Sequence, residues 1–310
     1  MRLERAMPIA IFVLLLAALP CVAQDAPAVA EGDAVEGDAI LLRFNYEEGE
    51  SLTYETTVDG VGSVHVMGQA QAIEMAGSML VTMLVEEIDE DGNYVMVTEV
   101  DIAEMNVTMS GSPVPPPNQD IKVRTTMSPR GEILAMEMIQ EVDQPDARTP
   151  WNAEMAKLLT GGFDLNQMLL GQKIAAFPEE AVSPGDEWKG NAPEIELRGE
   201  TAPLEISTKY DGNLELEGRD CARLDSETSM QAGALGELAT ALSMEGFTTT
   251  QSRSWFDYEA GRTLATMEKT QVSMQVSVPA AMTGDQQAAG VFLEMFVDSE
   301  SKLLPSGEEE

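Results

Sequence analysis

Few residues in this chain could act as a nucleophile or bind a metal. Beyond a short apolar leader there is one cysteine, Cys221, and one histidine, His65. A reactive thiolate needs a nearby base to lower its pKa, and His65 falls on the polar side of a strand pattern far away in sequence. Cys221 sits in Arg219-Asp220-Cys221-Ala222-Arg223-Leu224, a strand-like stretch that suits a buried, inert thiol. Two such residues are too few for a zinc or copper site, so no metal and no cofactor is expected. The chain has no Gly-x-Ser-x-Gly elbow, no phosphate loop and no His-Glu-x-x-His helix. Asp89-Glu90-Asp91-Gly92-Asn93 holds acids, but it lacks calcium-loop spacing and the closing glutamate, and it reads as a hairpin turn. A pair of carboxylates facing each other across a cleft is the one enzymatic arrangement left open. No catalytic residue is singled out, and the expectation is a protein that is not an enzyme.

The leader has the layout of a secretory signal. Arg2 and Arg5 precede an apolar run from Ile9 to Leu19, and Cys21-Val22-Ala23 puts small residues at the cleavage positions, so cutting is expected before Gln24. The run is shorter than the roughly 20 residues needed to cross a bilayer, and no stable membrane span is expected after cleavage. Leu19-Pro20 before Cys21 does not suit lipidation, which favours a small residue there, so an exported periplasmic or extracellular location is expected without a lipid anchor. The formal charge is −36, and loss of Arg2, Glu4 and Arg5 makes it one unit more negative. Such an acidic chain repels phosphates, which argues against nucleic acid and against anionic lipid surfaces. The acidity reads as solubility, including in a salty habitat. The sequence does not set the oligomeric state.

The elements that would position any site are strands. Residues 24–38 read as a disordered acidic leader and 304–310 as a disordered tail, leaving one β domain over 39–303. Ile40, Leu42, Phe44 and Tyr46 alternate with polar residues; Glu47 to Glu50 turns the chain; Leu52, Tyr54, Thr56 and Val58 alternate on the return. This predicts a hairpin, with a third strand starting at Val64 and Val66. Ser78–Ile88 and Tyr94–Met109 flank the Asp91-Gly92-Asn93 turn, Ile121–Met127 turns at Gly131 into 132–138, and Pro113–Pro117 reads as a loop. Phe177-Pro178 opens a second series: Leu204–Tyr210, a Leu214-to-Met230 hairpin turning at Gly218, and a final strand Val291–Lys302. The clearest hairpin spans Gln251–Val278. In its second strand Leu264, Val272, Met274, Val276 and Val278 share one parity, and Ala265, Lys269, Gln271, Ser273, Gln275 and Ser277 the other, so one face is apolar and one wet.

Helices are expected only over 149–170. There Thr149-Pro150 can start one and Asp164 with Gln167 can cap another. Residues 232–243 fit a short helix or a small-residue strand equally well. Gly131-Glu132-Ile133-Leu134-Ala135-Met136 aligns without gaps on Gly261-Arg262-Thr263-Leu264-Ala265-Thr266, and Pro184-Gly185-Asp186-Glu187-Trp188 echoes Glu48-Gly49-Glu50-Ser51-Leu52. These echoes predict two related halves, about 39–148 and 177–303, joined by the helical segment.

Phe177-Pro178, Pro184 to Trp188, Gly218 to Leu224 and Phe256-Asp257-Tyr258-Glu259-Ala260-Gly261 give the chain its resemblance to a family of uncharacterised exported bacterial proteins. Their architecture is similar to the lipoprotein-carrier superfamily that includes LolA, LppX and RseB. The resemblance covers roughly 39–300 and rests on turns and strand ends. It implies a mainly β fold: a strongly curved antiparallel half-barrel, with short helices packed on the concave side over an apolar cavity. It carries no catalytic residue. On this reading Leu158, Leu159, Phe163, Met168 and Leu169 line the cavity from the helices, and Val272, Met274 and Val276 from the sheet, for an apolar ligand, a lipid or a lipidated partner protein. The alternative is a structural or protein-interaction module of the envelope with a filled core.

Overall fold

The computed structural model describes residues 38–66, 69–114, 121–139, 175–191, 195–197, 200–202, 205–235, 245–278 and 289–305. They form strands β1 (Ser51–Val66), β2 (Gln69–Ile88), β3 (Tyr94–Met109), β4 (Ser112–Val114), β5 (Ile121–Met127), β6 (Ile133–Met138), β7 (Glu187–Asn191), β8 (Ile195–Leu197), β9 (Glu200–Ala202), β10 (Glu205–Leu216), β11 (Arg219–Gln231), β12 (Glu245–Asp257), β13 (Arg262–Val278) and β14 (Ala289–Leu303). Twelve of them build one open, curved antiparallel sheet in the order β6-β5-β3-β2-β1-β14-β13-β12-β11-β10-β7, with β4 on β3, while β8 and β9 pair separately. The expected fold class, mainly β on a curved antiparallel sheet, is what the described residues show. Their helical content is one short 3₁₀ turn, Ala232–Leu235, and the helices expected over 149–170 lie outside the described residues.

The sheet is two meanders laid side by side. One runs β1 to β6, the other β7 to β14, and the first strand of one pairs with the last strand of the other, from Tyr54↔Leu303 to Val66↔Val291. The order follows from short turns, which favour antiparallel neighbours, and from period-two patterning that gives every strand one buried side. β1 is longer than the sequence predicts. It continues from Ser51 to Val66 instead of breaking before Val64, because Gly60 and Gly62 stay in the strand. A Cβ added to Gly60 would meet Met75 Cε at 3.1 Å and Val297 Cγ2 at 3.3 Å, and one on Gly62 would run into the Glu294 carbonyl oxygen and lie 3.0 Å from Met295 Cγ. Side chains fill the space beside Gly60, and the β14 backbone approaches closest at Gly62. Pro113 and Val114 also depart from the expected loop, since Ser112–Val114 pairs with β3.

Residues 40–46 do not form the predicted hairpin with β1. Both edges of β1 are taken, by β2 and β14, so this stretch runs as a strap beneath the sheet and takes other partners. Ile40 and Val182 exchange backbone hydrogen bonds at 2.9 and 2.8 Å, Phe44 N donates to Pro129 O at 2.8 Å, and Asn45 N donates to Gly261 O at 3.0 Å. The alternation seen in the sequence is real, but it reflects a packed face and not a ladder. Leu42 joins Phe177, Val182, Tyr210, Ala222, Leu224 and Phe256 in one core, and Tyr46 joins Leu52, Val85, Tyr94, Met96 and Met127 in another. Phe44 touches both, stacking on Tyr46 and Phe177 and meeting Phe256 edge-on at centroid distances of 5.7, 5.2 and 5.3 Å. Each such side chain contributes on the order of 1.5–3 kcal/mol by leaving water.

Residues 175–186 are likewise a connecting segment, not the opening of a strand series. Arg43 donates to Pro178 O at 2.7 Å and Glu179 O at 2.8 Å, and Arg130 donates to Phe177 O at 2.7 Å and Glu179 Oε1 at 3.1 Å. The Arg43 guanidinium sits below its ordinary pKa, through burial first and the neighbouring Arg130 second. Glu50 and Arg262 form a largely buried ion pair at 2.6 Å across the two meanders.

The turns that looked alike in sequence carry the same hydrogen bonds. Gly49 N donates to Val85 O at 2.8 Å, Val85 N to Glu50 O at 2.9 Å, and Glu50 N to Glu47 O at 3.0 Å. At the other turn Gly185 N donates to Tyr210 O at 2.7 Å, Tyr210 N to Asp186 O at 2.9 Å, and Asp186 N to Ser183 O at 3.0 Å. Even the side chains match: Glu50 Oε2 accepts from Glu47 N at 3.0 Å and Asp186 Oδ2 from Ser183 N at 2.8 Å.

Candidate functional site

One face of the sheet is buried along most of its length, and its register stacks side chains in rows across β10, β11, β12, β13, β14 and β1. Nearest the strap the row is Tyr210, Leu224, Ser254, Thr266, Ser301, Thr56. Next come Thr208, Ser226, Ser252, Glu268, Ser299, Val58, and then Ile206, Thr228, Thr250, Thr270, Val297, Gly60. Beyond these the face turns apolar: Met230, Thr248, Val272, Met295, Gly62, and then Gly246, Met274, Leu293, Val64. The inner face therefore has three zones, an aromatic floor, a hydroxyl belt with one carboxylate, and an apolar end.

The belt is hydrogen-bonded across strands. Thr208 pairs with Ser226 at 2.8 Å, Thr250 with Thr270 at 2.8 Å, Thr56 with Ser301 at 2.9 Å, and Ser254 with Thr266 at 3.1 Å. Ser299 Oγ donates to Glu268 Oε2 at 3.0 Å. Glu268 is 2% exposed, and burying a carboxylate costs several kcal/mol unless hydrogen bonds or a cation offset it. Thr248 Oγ1 is buried and has no hydrogen-bond partner among the described residues. At the inner-face register positions of the described strands there is no lysine or arginine.

Of the residues expected to line a cavity, Val272, Met274 and Val276 lie on this face at its apolar end. Val272 and Met274 are buried and Val276 half-buried, opposite Met295, Leu293 and Val291. Leu158, Leu159, Phe163, Met168 and Leu169 lie outside the described residues. The reading of β13 as apolar on one side needs correction. Thr266, Glu268 and Thr270 share the parity of Leu264 and Val272 and point inward, as their burial shows. A polar triplet in step with apolar residues on both sides was the signal available in the sequence. A register shift at Trp255/Phe256 further places Leu264 with Ala265, Trp255 and Cys221 in a small separate core.

The remaining chemistry-bearing residues are accounted for structurally. Cys221 is fully buried, and burial, with Asp257 adding to it, pushes its thiol up to about 12, the opposite of an activated nucleophile. His65 stacks edge-on against Phe292 at 5.7 Å and lies 3.3 Å from Ser63 Oγ. Asp89 closes its turn by accepting from the Asn93 side chain at 3.0 Å, Asn93 N at 2.8 Å and Asp91 N at 2.9 Å; the Asn93 side-chain bond first, then the backbone bonds, hold its carboxyl below the usual range. Among the described residues no helix is long and apolar enough to cross a membrane.

No family model matches the chain, and no curated protein matches it. A solved structure described as lipid-protein interactions in lipovitellin overlaps it with a TM-score of 0.39 and 10% identity, covering 86% of this chain and 27% of that one. The chain thus spans little more than a quarter of that protein's length. A DUF1329 family protein from Desulfovibrio piger overlaps with a TM-score of 0.17 and 10% identity, covering 78% of this chain and 83% of that one. Both are similarities too slight to bear on function.

Proposed function

We propose that this chain is a non-enzymatic exported protein that holds an apolar ligand, or the acyl chain of a lipidated partner, against the inner face of its sheet. The observation that carries the reading is the apolar end of that face. Val64, Leu293 and Met274 form one row and Met295, Val272 and Met230 the next, an apolar surface across β1, β14 and β13 that Thr248 interrupts on β12 before Met230. Three of its side chains are methionines, which reshape around varied apolar partners. Kinship with the lipoprotein carriers belongs to the same proposal and is supported by the open antiparallel sheet. Mass spectrometry of organic extracts from protein purified without detergent tests it. A bound acyl species, released on unfolding and absent when Val272 and Met295 are both changed to Glu in a variant that still folds, is the expected result. Protein that carries no lipid and takes up no fluorescent fatty acid would instead fit an envelope module with a filled core.

A further inference from the structure

We infer that the outer face of β1 and β14, at the apolar end of the sheet, docks on a lipid bilayer whose head groups carry an ammonium and no net charge. This goes beyond the ligand proposed above and does not depend on it. The first observation is on β14. Val291-Phe292-Leu293-Glu294-Met295-Phe296-Val297 is apolar at every position but one, whereas Asp298 to Lys302 holds no apolar residue. A strand with one wet face alternates, and a near-continuous apolar run belongs to a strand covered on both faces. Leu293, Met295 and Val297 are buried on the inner side, yet Phe296 is 48% exposed on the outer side and its register partner Val61 is 55% exposed. Directly opposed side chains on neighbouring strands interact, so these two form one patch. Phe292 and His65, opposed four residues further along, extend it with an edge-on ring contact at 5.7 Å. On the β2 side Ala70, Ala72 and Ala76 are exposed and add no charge. Single exposed apolar residues need no explanation, but contiguous ones mark a contact surface.

The charges around the patch select what covers it. Asp59 and Asp298, both exposed, face each other in the outer-face row below Val61 and Phe296, with Lys269 opposite Asp298 on its other side. Glu74 is the β2 partner of Val61, and Glu294 stands between the two phenylalanines. A second copy docked through this patch would form a self-complementary interface and set these acids against their own counterparts, which is destabilising. An anionic bilayer is repelled in the same way. A bilayer of phosphatidylcholine or phosphatidylethanolamine is neutral overall and presents its ammonium groups outermost. With Phe296 and Val61 set among the head groups, the acids lie at the level of those ammonium groups. The inner face decides between a bilayer and a protein with a basic rim. Its row Val291–Val276 is apolar and half-buried, so β14 ends apolar on both sides. A protein docked on the outer face covers one side, whereas the interfacial layer of a bilayer takes in both.

The test is flotation of the chain lacking residues 1–23 with phosphatidylcholine vesicles, and with vesicles of equal parts phosphatidylcholine and phosphatidylglycerol, at low and high salt. The chain should float with the neutral vesicles and less with the anionic ones at low salt, and high salt, which screens the acids, should narrow the difference. V61T and F296T combined keep strand-forming residues on an exposed face. The pair should weaken vesicle binding at least about ten-fold, the loss expected when two half-exposed apolar side chains no longer enter lipid. A nitrobenzoxadiazole label on V61C should shift to the blue when neutral vesicles are added. The same label on E55C, exposed on the same face nearer the strap, should not; Cys221 is buried and stays unlabelled. Urea unfolding confirms that each variant folds. No flotation, flotation that V61T/F296T leaves unchanged, or flotation that requires phosphatidylglycerol overturns the inference. A chain that sediments as a dimer and becomes a monomer in V61T/F296T overturns it too, and assigns the patch to a second copy. None of these results touches the inner-face ligand, which lipid extraction decides separately.

Discussion

Replacing Gly261 by alanine tests whether the strap residues 40–46 tie the two meanders together. Gly261 has a φ of +69°, a conformation that costs a residue with a Cβ roughly 1–2 kcal/mol. The added Cβ would lie 2.5 Å from Asn45 Cβ, 2.6 Å from Asn45 N and 2.9 Å from Arg43 O. These are mostly backbone atoms, so relief requires moving the strap. That movement stretches the Asn45 N–Gly261 O bond, worth about 0.5–1.5 kcal/mol, and disturbs the three ring contacts of Phe44, each worth about 0.5–1.5 kcal/mol beyond burial. A total loss of about 3–5 kcal/mol is expected, at the upper end for a single substitution. Gly131 is the equivalent turn residue of the first meander, with a φ of +83° and a closest approach of 2.6 Å to Phe44 Cε2. Its neighbour is a side chain that can swing aside, so G131A should cost less, about 2–3 kcal/mol. Gly218 has a φ of +80° and nothing within 4 Å of an added Cβ, so G218A should cost only the conformational term, about 1 kcal/mol. Urea unfolding of the three variants, with unchanged m-values, gives the ranking directly. G261A falling within about 0.5 kcal/mol of G218A would show that the strap is not held at that turn.

Other consequences can be checked in the same preparations. Iodoacetamide at mildly alkaline pH should leave the Cys221 peptide unmodified in folded protein and alkylate it fully in urea, because the thiol is buried and pushed up to about 12; rapid labelling of the native chain would refute that placement. R130K should lose about 1 kcal/mol of stability, since an ammonium keeps the charge but not the fork that spans Phe177 O and Glu179 Oε1. Burial raises the Glu300 carboxyl above its ordinary value, with Lys302 opposing. The folded state therefore holds that proton more tightly than the unfolded chain, and the group's favourable contribution is full below the ordinary carboxyl pKa and lost as pH rises through the folded value. E300Q should thus stabilise the protein at neutral pH and change little in acid. An unchanged urea midpoint at neutral pH would count against it.

The sheet was legible because its strands obey period two over long stretches and their turns carry glycine. The hairpins at Asp91-Gly92-Asn93, Gly131, Gly218 and Gly261 each appear where turn chemistry placed them. The strap was not legible, because alternation reports a buried side and says nothing about which backbone supplies the hydrogen bonds. Phe44 N could pair with β1 or with the Pro129 carbonyl on local grounds, and only the occupancy of both β1 edges decides. Gly60 and Gly62 hid the length of β1 for a similar reason, since what occupies their space comes from neighbouring strands: the Met75 and Val297 side chains at Gly60, and the Glu294 carbonyl with Met295 at Gly62. On the candidate site the sequence located Val272, Met274 and Val276. It did not show that the hydroxyl belt exists, because no single strand holds more than a few of its members. The belt is assembled by register: Ser226, Ser252, Glu268 and Ser299 come from four strands and become one row only when those strands pair.

That row runs against the economy of the rest of the fold. Valine or leucine at positions 226, 252, 254, 268 and 299 would satisfy the same pattern, bury more apolar surface and leave no carboxylate to desolvate. The chain instead places cross-strand hydroxyl pairs there, and these pairs remove most of the penalty without adding much stability, since a paired buried hydroxyl contributes only about 0.5–1.5 kcal/mol net. A structural explanation for the belt must supply what the hydroxyls achieve that aliphatic side chains would not. Strand register is one candidate, but the apolar rows on either side already fix it, because a slip by one residue would turn Val272, Met274, Leu293 and Met295 outward. Departures from local consistency gather where a protein meets something other than itself. The hydroxyl belt, with Glu268 held by Ser299, is such a departure: four strands assemble it at once, and packing alone does not account for it.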